Sequence, residues 1–373
     1  MNCQDILECP ARHSSVYQTD RPPENPSFRR PPKPRILPTM PTLPCSNLQN
    51  LLTRLKKSCG TIYWRQAVLS APAILIVMAL SMKLNPVMAV VVVGAAFSAG
   101  FGAARSIGKH RWRVMGQATL GMALAAFAGS LAGSEPAVAL AAAALLAAVC
   151  AALSSYNNNW WWIMLQIVIA FLVAAYYPGT PEAAALRSLC ILTGGGLQMA
   201  FTMLLARITP ASAAPLPPPP ATPLPSQRLL RFAAGTGLAV GLALYAAESA
   251  GLKNNYWAAM TALLVLRPAS ADTLTRGVNR FIGTLTGCAA ATLAVYAFHD
   301  AHLWLTACLT ITSAAAFSMQ RAHYGLFTAM VSATIVFLIA IGHGDPLATT
   351  EHRLLATLLG GSTAIATGRL FRL

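Results

Sequence analysis

Residues 86–104 read PVMAVVVVGAAFSAGFGAA, and none of these side chains carries a charge. As a helix the stretch rises about 28 Å, close to the ~30 Å hydrocarbon thickness of a bilayer. Directly after it stand Arg105, Lys109, Arg111 and Arg113. A run that is apolar on every side, followed by a basic cluster, predicts a membrane-crossing helix whose next loop faces the cytoplasm.

The same pattern recurs along the 373 residues. The chain is 55% hydrophobic and 10% charged, against about 25% charged residues in soluble domains. Too few polar side chains remain to cover a water-soluble globule of this length. The net charge of +16 does not point to nucleic acid, because the basic residues fall in short clusters between apolar runs. Segments long enough to cross lie at roughly 66–83, 86–104, 114–133, 136–154, 159–177, 187–207, 229–247, 253–268, 277–298, 302–319, 323–342 and 353–371. The expected fold is an all-α polytopic membrane protein of about twelve transmembrane helices, the eighth the shortest.

The apolar segments divide the chain. Residues 1–60 are basic and proline-rich and read as a disordered cytoplasmic tail, with Met40 a candidate start and Leu48–Leu55 a short amphipathic stretch suited to a membrane surface. Residues 61–207 form a first six-helix bundle and residues 228–373 a second. Between them, 208–227 is a cytoplasmic linker whose prolines favour an extended spacer.

Charge assigns sidedness independently. With the N-terminus inside, 23 of the 27 Lys and Arg residues fall in the cytoplasm, and only Lys83, Arg187, Lys253 and Arg353 fall outside. One miscounted helix would swap every later loop, so the asymmetry supports both the count and an N-in/C-in orientation. Acids run the other way: Glu135, Glu182, Glu248, Asp300, Asp345 and Glu351 lie outside, and beyond the tail only Asp272 lies inside.

The two halves also echo each other. Arg113 and Gly116 match Arg280 and Gly283, 167 residues on. Arg187, Gly194 and Gly195 match Arg353, Gly360 and Gly361, 166 residues on. Six helices per repeat is an even number, which predicts two parallel repeats related by an axis along the membrane normal. Gly237/Gly241 and Gly283/Gly287 are GxxxG pairs suited to close helix packing, as are Gly360 and Gly361.

The strongest local signature runs Tyr256-Trp257-Ala-Ala-Met-Thr261, then Arg267-Pro268, Asp272, Thr273, Arg276, Arg280, Gly283-Thr284 and Gly287. This stretch resembles the fusaric acid resistance-like (FUSC) membrane domain shared with aromatic acid exporters, with its YW-x-x-x-T helix and R-x-x-G-T-x-x-G. The resemblance extends over about 228–373, with Tyr324–Ile341 and Arg353–Gly361 suiting the domain's last helices. Over 64–207 only Arg113 and Gly116 match. The resemblance implies a six-helix unit used twice and proton-driven efflux of aromatic carboxylates from a bacterium across its inner membrane. Larger exporters of that family carry a cytosolic domain between the bundles, where this chain has about 20 residues. That difference leaves room for a homo-oligomer or a periplasmic accessory partner.

An aromatic carboxylate needs an apolar slot, a stacking surface and a positive group. Arg280 and Arg353, and their first-half equivalents Arg113 and Arg187, stand at helix entrances, where a guanidinium can bind a carboxylate; they serve equally as topology anchors. Tyr256, Trp257 and Thr261 are further substrate candidates. Trp160–Trp162 fit an interfacial belt as well as a stacking surface, and Asn157–Asn159 fit a helix start. Proton coupling needs a titratable group: Asp272, which also suits an ion pair with Arg267 or Arg276, and His323 are the candidates. His299, His302, His343 and His352 gather with acids on the outer side, and solvated loop polarity accounts for them without a metal. Cys150, Cys190, Cys288 and Cys308 read as packing residues. With no P-loop and no catalytic constellation, neither an enzyme nor a cofactor is expected.

The leading reading is a secondary exporter of amphipathic or aromatic organic anions, with the bilayer and a small anion as its partners. A passive organic-anion channel is a second reading, since plant malate channels are similar to this family in their membrane domain. A non-transporting scaffold or accessory subunit is a third.

Overall fold

The computed structural model describes residues 62–105, 110–209, 223–297, 301–342 and 344–372. All lie in the second of two units into which the chain divides after Asn50. The expected tail with Met40 and Leu48–Leu55, most of the 208–227 linker, Lys109, His299, Asp300 and His343 lie outside the described residues.

Among the described residues there are twelve α-helices and no β-strand. They are α1 (Trp64–Ser81), α2 (Pro86–Gly100, continued by a 3-10 turn at Phe101–Ala104), α3 (Arg111–Ala132), α4 (Pro136–Leu153), α5 (Asn158–Tyr176) and α6 (Pro181–Ile208). The second set is α7 (Ser226–Ser249), α8 (Tyr256–Val265), α9 (Ser270–Ala297), α10 (His302–Ser318), α11 (Tyr324–Ile341) and α12 (Pro346–Leu370). Each apolar segment of the sequence holds one of them. Nine are long and apolar enough to cross a membrane: α1 to α7, α9 and α11.

Local chemistry accounts for the helix starts. Pro86, Pro136, Pro181 and Pro346 occupy first-turn positions, where the missing N–H costs nothing and the fixed φ is already helical. Asn85 accepts from the Val87 amide at 3.0 Å, and Asp345 accepts from Leu347 and Ala348 at 2.9 and 3.3 Å. Asn157 caps α5 by accepting from Asn159 and Trp160, so this residue of the asparagine run is a helix start as expected.

Two expectations change. The eighth segment, read as a span over 253–268, is a helix of only 10 residues. It rises about 15 Å, half the hydrocarbon thickness. Leu266 is extended at φ −61°, ψ 132°, and Pro268 disfavours helical geometry at Arg267. Second, α6, α9 and α12 begin six to seven residues before the apolar windows at 187, 277 and 353. Their first turns are polar and invisible to hydropathy. Arg280 and Arg353 therefore stand not at helix entrances but about 15 and 10 Å inside their helices.

Packing partners recur six helices apart. In the first set α1 packs on α2 and α6, α2 on α6, α3 on α5 and α6, and α4 on α5. In the second set α7 packs on α8 and α12, α8 on α12, α9 on α11 and α12, and α10 on α11. The contacts between sets are reciprocal: α4 lies on α7, and α10 lies on α1. Close approaches repeat at the same offset. A Cβ on Gly194 would overlap the Val92 carbonyl, and one on Gly360 would overlap the Ala258 carbonyl, 166 residues further on in both partners. Both large apolar clusters draw on the two sets together, one through α4, α5, α7 and α8 and the other through α1, α2, α10 and α11. Leu145, Leu293, Leu303 and Ile311 point outward, as a lipid-facing surface requires.

Candidate functional site

The polar residues inside the second set fall on single helix faces at a spacing of four. On α9 these are Arg280, Thr284 and Cys288; on α11, Tyr324, Thr328 and Ser332; on α12, Arg353 and Thr357; on α8, Trp257 and Thr261. Residues at i, i+4 and i+8 stack along one side of a helix. Because α9 packs on α11 and α12, and α12 on α8, these faces meet inside the bundle. Glycine holds them close: a Cβ on Gly283 would overlap the Gly325 carbonyl, one on Gly287 the Ala329 carbonyl, and one on Gly360 the Ala258 carbonyl.

Arg280 is 6% exposed and Arg353 2% exposed. The Arg353 guanidinium lies over the Trp257 ring, 3.7 Å from its centroid, a cation–π contact that partly offsets burial. Arg353 is close enough to Arg280, Cys288 and Tyr256 to interact with each electrostatically, and no carboxylate is among its neighbours. All six described acidic residues are exposed: Glu135, Glu182, Glu248, Asp272, Asp345 and Glu351. The two buried cations thus have no anionic partner among the described residues.

Hydrogen-bond donors around them are also unused. Arg280 Nε, Arg353 Nη1, Trp257 Nε1 and the hydroxyls of Thr261, Thr284 and Thr328 are buried without a hydrogen-bond partner, while the Tyr324 hydroxyl pairs with Arg280 and the Ser332 hydroxyl with the Cys288 thiol. Elsewhere in the set Thr275, Thr286, Thr334 and Thr367, and on the face itself Thr357, donate to a carbonyl of their own helix at 2.8–3.0 Å, the usual resort of a helical hydroxyl. Buried polar groups are normally satisfied. Six spare donor-bearing atoms around two uncompensated cations form an environment complementary to an anion with acceptor oxygens.

The α8 end of this face carries more cations. Arg276 lies 3.9 Å over the Tyr324 ring and donates from Nε to the Leu264 carbonyl at 3.3 Å, at the C-terminal end of α8. Arg267, Arg276 and Arg280 all act on the Tyr324 hydroxyl. At the start of α8 the rings of Tyr176, Tyr177, Tyr256 and Trp257 pack in series, with centroids 4.9–5.3 Å apart.

Five sequence candidates therefore come together: Arg280, Arg353, Tyr256, Trp257 and Thr261. Others do not. Arg113 is exposed beside Trp112. Arg187 is half-buried and donates to the Tyr177 carbonyl at 2.7 Å and to the Ser130 hydroxyl. The matching arginines of the first set are thus not a buried pair; inside that set Gln198 donates to the Ser70 carbonyl at 2.9 Å, and Gln166 to the Ser98 carbonyl at 3.0 Å. Asp272 is exposed in the first turn of α9, where it acts on Arg267. His323 is exposed at the α11 N-cap. Neither reaches the buried face.

Gly237 packs near the Ala144 carbonyl of α4, at 2.8 Å from where its Cβ would stand, and Gly241 lies more loosely there. Gly361, expected as a packing glycine, has open space where a Cβ would stand although it is buried. Of the tryptophan run only Trp160 is exposed like a belt residue; Trp162 lies under Arg105 and Trp161 under Arg267. Cys150, Cys190 and Cys288 are buried free thiols, and Cys308 is half-buried. No group of three His, Cys, Asp or Glu able to hold a metal is found among the described residues. Thr328 and Ser332 went unnoticed in the sequence, although Tyr324, Thr328 and Ser332 form a polar row at helical spacing within an apolar segment.

A helical, multi-pass membrane protein with a buried cationic face is the class these features define. Residues 242–367, from within α7 to the last turn of α12, match the family described as fusaric acid resistance protein-like. The resemblance read from Tyr256 to Gly287 is thus borne out, and every residue of the buried face lies within the match. The nine long apolar helices give a multi-pass membrane protein, and the match, over about a third of the chain, points toward a transporter-type role. Neither the curated proteins nor the solved structures compared with the chain give a match.

Proposed function

We propose that the chain is a secondary transporter that exports amphipathic or aromatic organic anions across a bacterial inner membrane. In this reading the helices form two parallel six-helix repeats with both termini in the cytoplasm, and the anion binds between α8, α9, α11 and α12. The observation that carries it is the pair Arg280 and Arg353, buried without a carboxylate and ringed by spare donors. Trp257 and Tyr256 supply the aromatic surface beside the cations. The groups are closed off from solvent, as expected for an occluded state that must open to either side.

Proton drive comes from the family resemblance, and the buried face offers it no carboxylate. Arginine stays charged at all working pH values, so the charge of this site does not change with pH. That feature favours a second reading, a passive organic-anion path driven by the gradient and membrane potential alone.

Uptake of labelled aromatic acids into inverted vesicles, with and without a proton gradient, separates the readings. Accumulation only with the gradient supports the proton-driven exporter. Downhill flux without it supports the passive path. No flux of any organic anion through folded protein refutes both.

A further inference from the structure

We propose that the anion taken by this site is an organic dianion, with two carboxylates on one small skeleton, one facing Arg280 and the other Arg353; the inference rests on the organic-anion reading above. Two buried guanidinium groups that act on each other leave the empty site doubly positive, and all described carboxylates are exposed. A monoanion compensates one cation and leaves the other buried without a counter-charge, which is costly. A dianion compensates both.

The two charges approach from different levels. A Cβ on Gly277 of α9 would lie 3.7 Å from Ile365 Cδ1 of α12. Arg353 and Arg280 both act on Cys288, two turns above Arg280 on α9. The chain directions of α9 and α12 are therefore opposed, with Arg280 level with Gly361 and Cys288 level with Arg353. Eight residues separate those levels, about 12 Å along the axis. Thr284 and Thr357 stand at the level between them. The two cations thus enter the face from backbone positions about 12 Å apart, an arrangement for two separated carboxylates rather than for one doubly charged group.

The test uses the purified full chain with four probes: isophthalate, its monomethyl ester, benzoate and phenyl phosphate. The ester keeps the ring and loses one charge; phenyl phosphate concentrates the charge on one group. Isophthalate is expected to bind at least about tenfold more tightly than the ester or benzoate, and more tightly than phenyl phosphate. Arg280→Gln should remove the advantage of isophthalate over its ester, and Arg280→Lys should keep it. Equal affinity of wild type for isophthalate and its ester overturns the dianion inference while leaving the organic-anion reading in place. Phenyl phosphate binding as tightly as isophthalate overturns the two-point assignment. If folded wild type binds none of the four, the organic-anion reading falls and this inference with it. The wild-type comparison of acid and ester decides the matter even where an arginine variant does not fold.

Discussion

Replacing Arg353 with methionine should stabilise the empty protein while abolishing its response to anions. The side chain is 2% exposed, and its Nη1 has no hydrogen-bond partner. An uncompensated buried charge costs about 3–5 kcal/mol. Stacking on Trp257 at 3.7 Å returns about 2 kcal/mol for a desolvated cation–π pair. The difference leaves Arg353 a net cost of about 1–3 kcal/mol in the empty state, and methionine keeps most of the apolar stem that packs there. Thermal unfolding of the purified chain without anions should therefore shift upward in Arg353→Met. With ligand at a hundredfold excess over Kd, wild type should gain about 2.7 kcal/mol by linkage, and the variant should gain much less. Destabilisation of the empty variant by more than about 2 kcal/mol would refute the reasoning, because that is the signature of removing a partnered charge.

Gly360→Ala should cost about 1–3 kcal/mol, because its Cβ would strike the Ala258 carbonyl. Gly361→Ala has open space and should be neutral or stabilising by up to about 1 kcal/mol from helix propensity; denaturation of the two variants side by side checks the contrast. Thr328→Val removes a buried hydroxyl that has no partner, so stability should hold or rise by about 1 kcal/mol while anion affinity falls, as measured by calorimetry. Asp272→Asn and His323→Gln should leave anion affinity unchanged, since both side chains are exposed outside the buried face; a loss of affinity in either would place them in the site. A reporter fused after Arg372 should read as cytoplasmic, and an extracytoplasmic signal would overturn the N-in/C-in assignment.

Much of the fold is legible because its signals are local. An uncharged run such as 86–104 declares a helix by length and composition alone, and Asn85-Pro86 marks its start. The same local chemistry, read more closely, shows where the apolar windows fall short. Thr180-Pro181 and Asp345-Pro346 start their helices a turn or two before hydropathy rises. Pro268 likewise foretells that α8 ends early. The row Tyr324, Thr328 and Ser332 was also readable, as polar residues at four-residue spacing.

By itself the sequence determined the twelve helical segments and the motif that lies within the family match over residues 242–367. Tertiary structure alone decided which arginines are buried. Arg113, Arg187, Arg280 and Arg353 occupy matching positions in the two halves, and although the motif marks the second half, no neighbouring residue says which pair is buried. Arg113 meets the exterior, and Arg187 meets Ser130 and a carbonyl. Arg280 and Arg353 share one buried face, close enough to act on each other, with Trp257 against Arg353 and unused hydroxyls nearby. The physical reason is that burial and compensation of a charge depend on groups brought by other helices. The partners of Arg353 lie some 65 to 97 residues away in the chain, beyond the reach of any local pattern.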